Sequence, residues 1–538
     1  MVSSLEGLEV EAISPVAPRT SAQFSPFGRK RRVTPSPEAS SSKKILLVTP
    51  RGAIASLSKT IDFKLSSLPL PPKCLFQTGE AKIGELKRDD SSPCPSWSDN
   101  NFSDARSPLR LPHAQPEPHP EAKQDMPQVN LLPARHIFLP FDLRINPNAW
   151  DDRKNKELLT NLFPSDGVGF DGWCLTYWLK VLPPKPWPKT IAGVPCYFTL
   201  DLNDHGPIPP LIPAHWGNPR IGQDIDGLNF SNWDIVFHLI KEYFNEVEIP
   251  ITEVQYWGSF VMIILENRNS DVTKFPNRVA NIRCNYLYED QMGRPEVPQA
   301  RRVLEPMPGN PDESQYDILG PGLRLASDHD PSDPGAYLRT SAGVLVRDSV
   351  GNTFMTAASH GFPSEWGTTI YHPSPNGGLS IGELVMEITH TDVAMVKLNT
   401  DKEFANVTFQ NDIFTEPMQL RQFVRAGRTR GGIVMLDSPD TGFIEGTLRL
   451  SSFTKIPSDN PLEPLQHWIR TTWVYTGQDT SQDLSHGICG SAIWDEDGSV
   501  FGFFRYAPNT GVMKDWCAGI AADELMDRGY TIFDPTVE

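Results

Sequence analysis

No stretch of this chain approaches the ~18 consecutive apolar residues that a membrane-spanning helix requires. The opening residues, MVSSLEGLEVEAISP, carry acids where a secretory signal needs an apolar segment. Cysteine is scarce. Seven occur, at 74, 94, 174, 196, 284, 489 and 517, odd in number, with no CxxC pair and no histidine at zinc spacing. That pattern argues against a disulfide framework and against a structural zinc, and no metal or organic cofactor is implied. A positive charge balance is lacking too: 49 Lys and Arg against 66 Asp and Glu leave a net charge of −17. Wholesale binding to nucleic-acid phosphates is excluded on that count. The expectation is a soluble protein of a reducing, intracellular compartment, with neither membrane nor nucleic acid among its partners, where a free thiol persists.

What is present points to several domains, because 538 residues exceed a single core. Hydrophobic residues make up a lean 39%, and 51 prolines are about twice the usual share. Residues 1–133 hold much of the Ser, Pro and charge without a period of 2 or 3.6, and are read as a disordered tail. The tail contains Arg29-Lys30-Arg31-Arg32 and then Lys43-Lys44. Residues 1–60 hold nine Lys/Arg against four Asp/Glu. A basic cluster of this kind is either a solvated charge run or a nuclear-import signal, so the location is cytoplasmic or nuclear.

Residues 134–305 change texture. Val194–Asp201, Ile251–Glu266 and Val279–Glu289 read as strands, and Ser231–Val247 places Trp233, Phe237, Ile240 and Phe244 at helical spacing. This predicts an α/β (α+β) domain of unassigned role that could engage a protein partner. His205, Asp224 and Asp226 lack a second cluster at ligand spacing and are read as turn residues. Residues 306–334 form a Pro/Gly/Asp-rich linker, with room for one docked strand around Leu323, in which Asp328, His329 and Asp330 are read as solvated. From 335 to 538 short β-branched and aromatic runs recur every ten to fifteen residues between Gly, Pro, Asn and Asp, as in Thr353–Ala358, Gly442–Leu450 and His467–Tyr475. That spacing predicts an all-β sandwich or barrel pair, with a short helix over Ala521–Arg528.

Three segments of this C-terminal part carry chemistry. In Phe354-Met355-Thr356-Ala357-Ala358-Ser359-His360-Gly361 small residues allow a tight turn that projects an imidazole. Thr391-Asp392-Val393-Ala394 starts a strand with an acid able to hold the imidazole Nδ1–H. His486-Gly487-Ile488-Cys489-Gly490-Ser491 displays a thiol between glycines that permit strained backbone. Thiolate beside imidazolium is how a cysteine becomes a strong nucleophile at neutral pH.

TAASHG, TDVAMVKL and GICGSA, in this order, resemble the T-A-A-H-C, D-I-A-L and G-D-S-G-G-P segments of the chymotrypsin/trypsin-like peptidases. With cysteine in the serine's place, the last segment is similar to that of viral chymotrypsin-like cysteine proteases. The resemblance covers residues 335–538. It implies two six-stranded β-barrels with His360 and Asp392 on the first and Cys489 on the second. It also implies a Cys-His-Asp triad acting on a polypeptide substrate, and an oxyanion hole formed by the Gly487 and Cys489 amides. Phe504, Arg505 and Tyr506 become the expected substrate contacts, and Asp483 falls where trypsin keeps its pocket acid.

Departures are informative. Ile488 replaces the acid that locks a cleaved N-terminus, which argues against activation by N-terminal insertion. Arg505 stands where a small polar residue is usual; it either pairs with Asp392 or reads an acidic substrate residue. Ser491 is an alternative nucleophile two positions off the motif, while His390 and His486 are read as structural. Two other functions fit the same residues: a catalytically silent module that binds peptides or scaffolds a partner, and a protease whose substrate is its own 306–334 linker.

Overall fold

The computed structural model describes residues 135–295, 301–304, 314–329, 336–362, 367–388, 390–409, 416–425, 431–438, 441–456, 467–480, 484 and 487–534. The 1–133 tail with its basic cluster, Cys74 and Cys94 lies outside these residues, as do Asp330, Asp483 and His486. The described chain is mostly β. No helix in it is long and apolar enough to cross a membrane.

The second half of the C-terminal part closes on itself. Strands Ile433–Ser438, Ala492–Trp494, Ser499–Tyr506, Trp516–Ala521, His467–Tyr475 and Gly442–Ile456 pair in that order, and the last pairs back with the first. The first half is a nine-stranded sheet running from Arg301–Leu304 through Ala336–Ser341, Arg324–His329, Thr369–His372, Leu379–Ile388, Val393–Leu398, Thr353–Ala358 and Leu345–Arg347 to Thr531–Ile532. Within the 306–334 segment, Arg324–His329 belongs to this sheet and Ile318–Leu319 pairs separately with Glu403–Phe404. His372 helps to seat it: its Nδ1 contacts the Arg324 carbonyl at 2.7 Å and its Nε2 accepts the Tyr316 N–H at 3.3 Å. Burial pushes the His372 pKa down to about 4, so the ring is neutral and one tautomer serves both bonds.

The Gly442–Ile456 strand is fifteen residues long, well beyond the usual five or six. Its first residues, 442–447, close the ring against Ile433–Ser438. Farther on, Ser451–Thr454 pair with Glu253–Tyr256, so the sheet continues into the middle segment without a break. The run Ile251–Glu266, read from the sequence as one strand, folds as a hairpin of Ile251–Tyr256 and Phe260–Leu265. Gly258, at φ 94°, makes the reversal that an L side chain would resist.

Alternating side chains give this middle sheet two buried faces. Val254, Tyr256, Val261, Ile263 and Cys284 meet the helix Trp233–Glu246, and Phe237 stacks on Phe453 of the long strand at 3.9 Å. Met262, Ile264 and Leu287 meet a tryptophan-rich layer of Trp173, Trp257, Trp473 and Trp516. In that layer the fully buried Glu253 accepts hydrogen bonds from Trp473 Nε1 at 2.8 Å and from Arg294 at 2.5 Å.

Residues 136–199 form a separate five-stranded sheet, ordered His136–Ile137, Thr190–Ile191, Val194–Thr199, Leu175–Leu179, Ser165–Phe170. It is preceded in part by the helix Arg153–Leu162, capped by the Asp152 side chain on two N–H groups and not anticipated from the sequence. The middle segment is thus two β assemblies with a helix beside each, and strand outweighs helix. The five-stranded sheet docks on the ring through Glu445, which is paired with Arg135 and, at 3.2 Å, with His136 Nε2. Burial alone would raise the Glu445 pKa, but His136 and Arg135 outweigh it and hold it below the ordinary value. A depressed carboxylate pKa contributes stability that is present above its unfolded value and lost as pH falls through the folded one. Glu445→Gln is therefore expected to cost about 2 kcal/mol at pH 7, by urea denaturation, with the difference from wild type shrinking as the pH falls through the folded value.

Candidate active site

The strands Thr353–Ala358 and Val393–Leu398 run antiparallel with Ala358 opposite Val393. Positions just beyond one strand and just before the other must therefore meet, although they are 32 residues apart in sequence. Ser359–Gly361 form a single 3-10 turn there. The Ser359 N–H donates to the Asp392 carbonyl and the His360 N–H to Asp392 Oδ1, both at 3.0 Å. Asp392 adopts a left-handed backbone, φ 63°, which aspartate tolerates better than most residues. Thr391 pins the turn before it, donating to the Ile388 carbonyl at 2.5 Å and accepting from the Val393 N–H at 3.2 Å. The result is a carboxylate gripping the imidazole: His360 Nδ1 lies 2.8 Å from both Oδ1 and Oδ2 of Asp392.

Cys489 enters from the ring, in a loop between Gly487 at φ 103° and Gly490 at φ 91°. A Cβ on Gly490 would lie 2.6 Å from the Ser341 carbonyl oxygen and 2.7 Å from the Ala358 amide nitrogen. Only glycine allows the loop to approach the first half so closely. The thiol is 4% exposed and donates to the Arg505 carbonyl at 3.1 Å. Among the described residues, neither the Gly487 nor the Cys489 amide donates to a backbone carbonyl.

Arg505 pairs with the acid: its Nε donates to Asp392 Oδ2 at 3.1 Å. One residue therefore touches the acid through its side chain and the thiol through its main chain. Burial favours the neutral imidazole, but the Asp392 charge and hydrogen bond, with Cys489 adjacent, raise the His360 pKa to about 10. Burial likewise opposes the Asp392 carboxylate, yet His360 and then Arg505 hold its pKa below the ordinary value. His360 Nε2 is buried and makes no hydrogen bond within the usual geometric limits.

The other expected residues are distributed as follows. Phe504 and Tyr506 are 4% and 8% exposed and pack into two different core layers, Tyr506 against Trp473 with ring centroids 5.9 Å apart. Of the three expected substrate contacts, Arg505 alone reaches the His360–Asp392 pair. A register shift between Phe504 and Tyr506 disturbs simple alternation at this point. Ser491 is fully buried, and its hydroxyl has no hydrogen-bond partner among the described residues. His390 stacks face to face on His467, centroids 3.8 Å apart. The His205 ring sits edge-on to Trp178, and Asp226 accepts the Leu228 N–H at 3.1 Å. Among the described residues, no three His, Cys, Asp or Glu side chains gather as a metal site would need.

Sequence reasoning passed over Thr340 and Ser341. Ser341 N–H and Thr340 Oγ1 both donate to the Cys489 carbonyl, at 2.9 and 2.5 Å, and Ser341 Oγ donates to the Gly487 carbonyl at 2.9 Å. No local motif marks them; their role exists only once the two halves are apposed.

No family model matches the chain, and no curated protein matches it. Among solved structures it is similar to a Nocardiopsis protease, at 14% identity over 41% of this chain and all of that one, TM-score 0.28. It is also similar to Thermobifida fusca protease A, at 13% identity over 40% of this chain and 98% of that one, TM-score 0.28. A third likeness is to Cellulomonas bogoriensis chymotrypsin, at 14% identity over 40% of this chain and 99% of that one, again with a TM-score of 0.28.

Proposed function

We propose that the chain is an endopeptidase with a cysteine nucleophile. The observation that carries this reading is the His360 ring, held by both oxygens of Asp392 at 2.8 Å on one nitrogen and left without a hydrogen bond on the other, with Cys489 adjacent. Cys489 Sγ adds to the scissile carbonyl carbon as its proton passes to His360 Nε2. The tetrahedral oxyanion is met by the Gly487 and Cys489 amides, each donor worth on the order of 3–4 kcal/mol where tested in other enzymes. The C–N bond then breaks, and His360 gives its proton to the leaving amine. Water, deprotonated by the same imidazole, releases the acyl group from sulfur. Asp392 keeps the ring oriented and stabilises the imidazolium.

A reducing intracellular location accords with five described cysteines that are all free thiols. A polypeptide is the proposed substrate; nucleic acid is not a proposed partner, and residues 134–305 are the proposed surface for a protein partner. The silent-module reading is favoured by one contact, the thiol hydrogen bond to the Arg505 carbonyl in place of His360 Nε2.

The deciding experiment incubates the full chain with a complex peptide library and reads new termini by mass spectrometry. Wild type should cut, and Cys489→Ala should lose about four orders of magnitude or more of that rate. Equal cutting by both, or by neither, sinks the endopeptidase reading. The same spectra report whether the 306–334 linker is cleaved in a Cys489-dependent way.

A further inference from the structure

The strand Ala336–Ser341 belongs to the first half, yet its last two residues hold the nucleophile loop of the second. Thr340 and Ser341 are both fully buried. The carbonyls of three consecutive loop residues are all occupied: Gly487 by Ser341 Oγ, Ile488 by the Ser491 N–H at 3.0 Å, and Cys489 by Ser341 N–H and Thr340 Oγ1. A peptide whose carbonyl is pinned on one side must direct the following N–H to the other. Fixing the Ile488 carbonyl fixes the direction of the Cys489 N–H, and the bonds on either side prevent the loop from rotating to release it. The loop is prone to such rotation, because Gly487 and Gly490 both sit in backbone regions open to few other residues. Thr340 also packs against the histidine turn: a Cβ on Gly361 would lie 2.7 Å from Thr340 Cβ. The same pair of residues is therefore in touch with the base's turn and with the nucleophile's loop.

We propose that Ser341, assisted by Thr340, is a positioning residue for acyl transfer, aligning the Gly487–Cys489 amides with the carbonyl under attack. This rests on the endopeptidase reading. Its signature is a split between two reactions of one thiol. Alkylation by iodoacetamide needs the thiolate and His360 but develops no oxyanion. Acylation by p-nitrophenyl acetate does: sulfur adds to the ester carbonyl, p-nitrophenolate leaves, and acetyl-Cys489 is later hydrolysed by water.

In the full-length protein, Ser341→Ala should slow the p-nitrophenolate burst roughly 10- to 100-fold. Alkylation of Cys489 should stay within about twofold of wild type, since nothing in it calls on the amides. Thr340→Val should show the same split more weakly, and Thr340→Ser, which keeps the hydroxyl, should restore the burst. An unchanged burst in Ser341→Ala overturns the proposal, and so does a parallel fall in both reactions, which marks general loosening. Should Ser341→Ala fail to fold by circular dichroism, the comparison of Thr340→Val with Thr340→Ser decides alone. A wild-type protein with no Cys489-dependent burst would overturn the endopeptidase reading and this inference together.

Discussion

Alanine in place of His360 is expected to slow alkylation of Cys489 by iodoacetamide about a hundredfold or more at pH 7, the scale of a lost acid–base partner. The wild-type reaction should also be selective. Cys174, Cys196, Cys284 and Cys517 are buried, and burial pushes their thiols up, to about 12 for Cys284 and Cys517. A thiol with such a pKa is almost wholly protonated at pH 7 and reacts slowly even when reached. Cys489 differs in having an imidazole next to it that is charged at the same pH. Peptide mapping of the alkylated protein gives the rate at each site. Labelling at Cys489 no faster than at Cys284, or no slower in His360→Ala, would remove the thiolate–imidazolium pair from the account.

Asparagine at 392 should lower the alkaline limit of peptide cleavage, which needs the imidazolium to protonate the leaving amine. The sign follows from the folded pKa of His360, which stands at about 10 against 6.5 unperturbed. A raised imidazole pKa means that the charged ring, and the stability it brings, is fully present below pH 6.5 and lost as pH rises through 10. Asp392 supplies the main opposing influence to burial, so Asp392→Asn leaves burial unopposed except by Cys489. The pH above which the imidazolium can no longer protonate the leaving amine, and cleavage is lost, should then drop toward or below the ordinary histidine value. Catalytic turnover should fall by about four orders of magnitude, because asparagine also favours the wrong imidazole tautomer. An alkaline limit that stays near 10 would show that something other than Asp392 sustains the charge. Arg505→Met should move it in the opposite direction, since Arg505 now shares the carboxylate.

Much of this candidate site is legible in the sequence. The small residues at Ala357 and Ala358, the acid opening a strand at Asp392 and the glycines around Cys489 each state a local requirement of the same chemistry, and local requirements are written in neighbouring residues. Arg505 was legible only as a choice between two roles, because a strand residue's neighbours across a cleft depend on register. Thr340 and Ser341 were invisible, since their partners are main-chain carbonyls nearly 150 positions away. The hairpin at Gly258 was missed for a different reason: Trp257 and Phe260 continue the apolar run through the turn, and their rings stack at 5.5 Å to cover it. The burial of Phe504 and Tyr506 likewise depended on which layers the fold would bring to either side of one strand.

The fifteen-residue strand Gly442–Ile456 has a consequence for how this polypeptide can be divided. Its hydrogen-bonding edge at Ser451–Thr454 is satisfied by residues 253–256, and Phe453 is sandwiched by the ring of Phe237. Excising everything before residue 335 would strip that edge bare and leave an aromatic side chain facing water on a flat, adhesive strand. The C-terminal 200 or so residues are therefore a part of a larger mechanical body, and a gene fragment cut at the boundary that composition suggests would yield a sticky remnant in place of a miniature of the whole.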